Sequence, residues 1–186
     1  MQYINHRGDV YYAYQGTTKT GKPKYFASKK ESSPTATRAE ELPSDFEFFE
    51  NPMNATVVVR RRKKSSVTVA ERNLLSRLAL EHCQVACSVV IDGNALVVYA
   101  GTPLDISAMG LTMAGQEMAS RRACNFEPGF RFNLTRGKER KFTIARYCYR
   151  SAIDDWWPLN ERPDTLESVA LAYLPHLGKE SFFELI

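Results

Sequence analysis

Apolar positions along this chain alternate more often than they recur at helical spacing. Phe130, Phe132 and Leu134 are interleaved with Arg131, Asn133 and Thr135, the period of two expected of a strand with one covered face. Arg136-Gly137-Lys138-Glu139 supplies a turn, so a hairpin is predicted over 129–135 and 141–149. The apolar runs 87–91 and 95–100 flank Asp92-Gly93-Asn94, a corner that supplies the positive φ of a tight hairpin. Near the start, Val10-Tyr11-Tyr12-Ala13-Tyr14 and Lys24-Tyr25-Phe26-Ala27-Ser28 are strand formers on either side of turn residues that include Gly21. A further pair is predicted at 45–50, through Phe46, Phe48 and Phe49, and at 56–59, with Asn51-Pro52-Met53-Asn54 between them.

Helical spacing is confined to two places. Thr68-Val69-Ala70-Glu71 matches a capping box, and Leu74, Leu75 and Leu78 follow on one face, predicting a helix from Val69 to His82. Asp164 or Thr165 caps a last helix through Leu166, Val169, Ala170 and Tyr173, stopped by Pro175 and Gly178. Residues 31–43 read as a loop with one helical turn at 37–41, and 154–158 as another loop. Residues 107–122 are ambiguous: Met109, Met113 and Met118 suit a helix that Gly110 and Gly115 weaken. The expected fold class is α+β. A mostly antiparallel sheet of about six to eight strands is built from hairpins, and two or three helices cover one face. A single domain is expected over 1–186, with a basic hairpin region at 1–64, a helix and hairpins at 65–150, and an acidic helix and docked tail at 151–186.

Composition narrows the class. The 186 residues are 44% hydrophobic and 25% charged, which excludes a wholly disordered or collagen-like chain. No apolar run approaches the roughly 20 residues of a membrane-spanning helix, and no apolar core follows the first residues as in a signal peptide. A soluble, cytoplasmic protein without a membrane partner is expected. Cys83, Cys87, Cys124 and Cys148 are scattered and lack zinc-knuckle spacing. They read as buried free thiols, and no cofactor or metal is predicted.

Both ends carry distinctive stretches. TTKTGKPKYFASKK, with SDFEFFENP and VVVRR after it, and ARYCYRSAIDDWWPL with LESVALAYLPHLGKESFFELI, resemble the two ends of an uncharacterised bacterial protein family. Its members open with a Thr-Lys-x-Gly-Lys-Pro-x-Tyr-Phe motif. The resemblance implies that the ends belong to one architectural unit of bacterial origin. It implies no activity and no catalytic residue.

Charge supplies the leading candidate. Residues 1–64 carry 12 Lys+Arg against 7 Asp+Glu, whereas 151–186 carry 2 against 7. Lys19, Lys22 and Lys24 lie at the first hairpin's turn, and Arg60, Arg61, Arg62, Lys63 and Lys64 leave the next hairpin as a cationic run. Tyr11, Tyr12, Tyr14, Tyr25 and Phe26 are interleaved with the first group. Cations beside exposed aromatics are what single-stranded nucleic acid requires. The leading expectation is therefore a non-catalytic module binding a polyanion, nucleic acid first and an acidic protein second. The competing reading makes the aromatics core residues and the lysines edge protection.

Other candidates carry less. Asp154 and Asp155 would hold a divalent cation for hydrolysis only in a loop, with a third ligand such as Glu161, Asp164 or His176; otherwise one of them caps a turn. His176 lies near Glu180 and Ser181, but triad members converge from separate elements. It is expected to cap a helix C-terminus, as is His82. Trp156, Trp157, Phe182, Phe183 and Ile186 form the candidate protein-interaction or homodimer surface, unless the tail docks on its own core. Dinucleotide, phosphate-loop, zinc-protease and serine-hydrolase motifs are absent.

Overall fold

The computed structural model describes every residue except 103–111, 113, 114, 116–118, 121, 123, 151, 152 and 186, with the backbone only at Tyr149, Arg150, Ile153 and Asp154. The chain divides into two compact units, Met1–Arg62 with Leu104–Cys124, and Lys63–Pro103 with Asn125–Ile186. The ambiguous stretch 107–122 lies largely outside the described residues.

In the first unit, β1 (Gln2–Ile4), β2 (Val10–Thr17) and β3 (Pro23–Ser28) form an antiparallel sheet in that order. Ala13 and Tyr14 of β2 are buried, and the Tyr14 hydroxyl donates to the Lys30 carbonyl at 2.7 Å. Residues 37–38, expected to turn helically, instead form β4 (Thr37–Arg38), which pairs with Tyr14 and Gln15 of β2. An open sheet edge offers backbone partners that a single helical turn lacks. The second hairpin, β5 (Phe46–Glu50) and β6 (Val57–Arg61), forms as expected and is a sheet of its own. Tyr3 packs on Phe48 and Tyr25 on Phe46, with ring centroids 5.4 and 4.9 Å apart. Ala55 in the intervening turn has φ of 58°, an uncommon conformation for a residue with a Cβ. Its carbonyl accepts from Asn5 Nδ2 at 2.8 Å and its N–H donates to Asn51 O at 2.8 Å, which holds the turn closed.

The second unit contains α1 (Val69–His82), β7 (Cys87–Asp92), β8 (Ala95–Thr102), β9 (Asn125–Leu134), β10 (Phe142–Arg150), β11 (Ile153–Pro158), α2 (Leu166–Tyr173), a 3₁₀ turn (Leu174–His176) and α3 (Ser181–Glu184). Its five strands are antiparallel in the order β11-β10-β9-β8-β7. Leu96, Val98, Phe130, Phe132, Phe142 and Ile144 recur every second residue and pack with Leu75, Leu78 and Ala79 of α1 and Val169 and Ala170 of α2. One face of the sheet is thus covered by helices, and burying it is the main stabilisation. Residues 154–158, read as a loop, are the edge strand β11, where Trp156 pairs with Tyr147 and Trp157 with Arg146. Adjacent acids and a terminal proline are tolerated at a sheet edge, which is why this strand escapes a pattern reading.

The fold class is α+β, with three antiparallel sheets among the described residues rather than one large sheet. Helix α1 has the predicted boundaries. Thr68 Oγ1 accepts from the Glu71 N–H at 3.2 Å, and the Glu71 carboxylate accepts from the Thr68 N–H at 2.8 Å. Arg140 adds a two-pronged ion pair to Glu71 at 2.6 and 2.7 Å. Burial alone would raise the Glu71 carboxyl, but Arg140 and Thr68 hold it below its ordinary value. Stability from this group is therefore present above the ordinary glutamate pKa and is lost as pH falls through the depressed one. Thr68→Ala should cost about 1 kcal/mol in urea denaturation at neutral pH, and Glu71→Gln should flatten the acid limb of the stability profile.

Candidate functional site

The basic residues fall in both units. Lys19, Lys22 and Lys24 are exposed. Gly21 at φ 77° and the Thr18 carbonyl, which accepts from the Gly21 N–H at 2.9 Å, shape the turn that carries Lys19 and Lys22. Strand β3 lies against β6, so Lys24 shares this pair of strands with Arg60 and Arg61. The run Arg60–Lys64 is divided between units, Arg60, Arg61 and Arg62 belonging to the first and Lys63 and Lys64 to the second. Much of its charge is engaged. Arg60 pairs with Glu47 at 3.1 Å and lies over Phe49, Arg62 donates to the Phe46 carbonyl at 3.2 Å, and Lys63 pairs with Asp92 at 3.2 Å.

The interleaved aromatics mostly face inward. Tyr11 and Tyr14 are buried, Tyr14 stacks on Phe26 at 5.6 Å, and Arg38 covers Tyr12 at 4.1 Å. Lys29 is paired with Asp9 at 2.7 Å; this bond holds the Asp9 carboxyl down and raises the Lys29 ammonium. What remains is a lysine-bearing turn without a stacking platform.

Among the described residues, no group of three His, Cys, Asp or Glu side chains is arranged to hold a metal ion. Asp154 and Asp155 occupy successive positions of β11 rather than the loop that chelation required. His82 does stand in the last turn of α1. His176 does not cap α2: the α2 end closes through the Leu174 N–H on Ala170 O, while His176 Nδ1 lies 2.9 Å from Ser181 Oγ. That bond fastens the turn between α2 and α3.

The apolar tail docks on its own unit. Phe182 is buried in the core and Leu185 packs against it, with Phe130 and Phe182 edge to face at 5.1 Å. Phe183 is 73% and Trp157 40% exposed, whereas Trp156 is half-buried under Arg131 and against Tyr147. Ile186 lies outside the described residues.

A different arrangement emerges where the tail meets the sheet. Phe142, Ile144, Arg146 and Cys148 share one phase of β10, and the first two belong to the helix-covered core. Arg146 is directly opposite Phe130, which is opposite Val98, so a guanidinium stands in a cross-strand row of fully buried apolar residues. Beside this row the tail makes a roof over the sheet. Gly129 permits the roof to sit close, since a Cβ there would fall 2.6 Å from Leu177 Cδ1. Between sheet and roof lies a cavity of about 450 Å³, within the size range of small-molecule sites. Its apolar wall includes Pro128, Leu177, Phe182 and Phe183, and its charged groups are Arg146, Lys179 and Glu127.

Arg146 is tied on one side only. One terminal nitrogen donates to the Phe182 carbonyl at 3.0 Å, and the guanidinium lies 6.0 Å from the Phe182 ring. Its Nε is buried and has no hydrogen-bond partner among the described residues. An unpaired buried donor is costly. Sequence reasoning passed over Arg146. The signal was there, a single arginine on the apolar phase of FTIARYCYR, but it is readable only once that phase is known to face the helices.

Compared with protein-family models, with curated proteins and with solved structures, the chain matches nothing in any of the three. The site therefore rests on its own geometry.

Two variants separate docking from surface exposure. Phe182→Ala should destabilise the protein by about 3 kcal/mol or more, as expected for a buried aromatic. Phe183→Ala should change stability by less than about 0.5 kcal/mol. Thermal and urea melts of the two check this.

Proposed function

We propose that this chain is a binding protein whose second unit holds a small organic anion with an apolar body. The anionic group meets Arg146, with Lys179 contributing a second positive charge, and the body lies along Leu177, Phe182 and Phe183. The observation that carries this reading is the pairing of two cationic side chains, Arg146 and Lys179, with an apolar wall around a cavity of about 450 Å³. A guanidinium suits a planar carboxylate because its donors form a rigid fork. With Glu127 also lining the cavity, a singly charged anion fits better than a polyphosphate.

A panel of aryl and alkyl carboxylates, followed by saturation-transfer NMR and titration, tests it. Binding should weaken between tenfold and a hundredfold in Arg146→Met, the range for a hydrogen bond to a charged group. Because Arg146 also tethers Phe182, Lys179→Gln serves as the companion variant; it should weaken binding without loosening the tail. Equal binding by wild type and both variants would remove the site.

A second reading belongs to the first unit. Exposed Lys19, Lys22 and Lys24 at one hairpin end support charge-driven contact with a polyanion, nucleic acid in the first place. Without stacked bases, such contact depends on counterion release. Replacing the three lysines by glutamine should abolish low-salt fluorescence-anisotropy binding to labelled single-stranded DNA and RNA. Binding unchanged by the triple replacement would refute this role.

A further inference from the structure

The five-stranded sheet of the second unit has two edges of unlike character. At one, β11 carries Asp154, Asp155 and Pro158, charges and a proline of the kind that blunt an edge against pairing. At the other, β7 reads Cys87-Ser88-Val89-Val90-Ile91-Asp92. It contains no proline and no charge before Asp92, and it pairs with β8 from Cys87 to Asp92 without a bulge. Every residue of this strand is partly exposed.

The phase of β7 decides where its backbone points. The Ala86 carbonyl accepts from the Gly101 N–H at 2.6 Å. Hydrogen-bonded pairs recur every second residue in an antiparallel ladder, so Ser88, Val90 and Asp92 turn their backbone groups to β8. Cys87, Val89 and Ile91 turn theirs away from the sheet. Among the described residues, none of these outward N–H and carbonyl groups has a hydrogen-bond partner. A straight, apolar row of such groups is a template for another strand.

We propose that β7 is the dimerisation edge of this protein, and that its occupant is β7 of a second copy, antiparallel about a two-fold axis through Val89. The strand is complementary to itself in this register. Val89 stands opposite Val89 of the partner subunit, and Cys87 opposite Ile91 of the partner subunit. All the outward positions of both copies are then used, in about six backbone bonds. Moving the axis to Val90 would instead set Cys87 against the hairpin turn at Gly93.

Charge favours the same partner. Asp92, the one charged residue of the strand, falls opposite Ala86 of the partner subunit. The two Asp92 residues then lie about 20 Å apart along the strands, beyond the screening distance at physiological salt. Each is already met within its own chain by Lys63 and Arg131, both at 3.2 Å. The pairing brings no like charges together. It closes at two copies, and the acidic β11 edges end the joined sheet on both sides. The dimer contact thus lies at β7, not at the apolar tail, where Phe182 is docked on its own core.

Sedimentation velocity and amide hydrogen exchange on the intact chain test this. Across the micromolar range the protein should pass from monomer to dimer. In the dimer the Cys87, Val89 and Ile91 amides should exchange about tenfold or more slowly than in dilute protein, whereas Ser88 and Val90, already bonded to β8, should not change. Val89→Pro removes one outward N–H and no bond to β8; it should give a protein with unchanged circular dichroism that stays monomeric. A wild-type chain that is monomeric throughout overturns the proposal, as does a dimer in which those three amides exchange as fast as in dilute protein. The wild-type exchange rates decide the matter even if Val89→Pro folds poorly.

Discussion

Burial of one face of the five-stranded sheet is the constraint on which the second unit depends. Side chains alternate along each strand, so committing Leu96, Val98, Phe130, Phe132, Phe142 and Ile144 to the helices commits every residue in the same phase to the same side. Arg146 and Cys148 inherit that side from Ile144. The same face also contributes Gly129, Arg146 and Cys148 to the lining of a cavity. The pocket is thus a by-product of packing geometry, formed where the tail folds back over Gly129.

The same constraint explains the electrostatics. A guanidinium set in an apolar row cannot be well solvated, and a single carbonyl satisfies only part of it. On the opposite face of the sheet, Arg131 meets different conditions. It pairs with Asp92 at 3.2 Å and donates to Asn133 at 3.1 Å. The two arginines are one strand apart and differ in what their face provides, not in residue type.

Local chemistry was readable in the sequence; long-range partnership was not. The Thr68–Glu71 capping box, the Asp92-Gly93-Asn94 corner and the Thr165 cap each involve residues within a few positions, and each specifies its element almost alone. Strand β4 consists of two residues and exists only because β2 offers an unpaired edge. Strand β11 looked like a loop because Asp154-Asp155 and Pro158 are poor strand residues except at an edge. At the candidate sites the division is similar. Lys19, Lys22 and Lys24 were identifiable as exposed charge. Arg146 in its row could not be seen before the register was known.

The seating of Leu177 over Gly129 also bears on how the chain acquires its structure. Strands β8 and β9 are adjacent in the sheet, yet part of the cover over Val98 and Phe130 comes from residues synthesised much later. Contacts of such wide sequence separation slow folding, because the loop must close before the contact is gained. During synthesis the hairpins of the second unit would emerge with only α1 available to cover their apolar face, and the cover would stay incomplete until α2, Leu177 and Phe182 had cleared the ribosome. The first unit's β1–β3 and β5–β6 pairings close over short spans and need no such wait. Premature termination near the end of the message would therefore release a nascent chain whose early hairpins are formed and whose later sheet is open to aggregation.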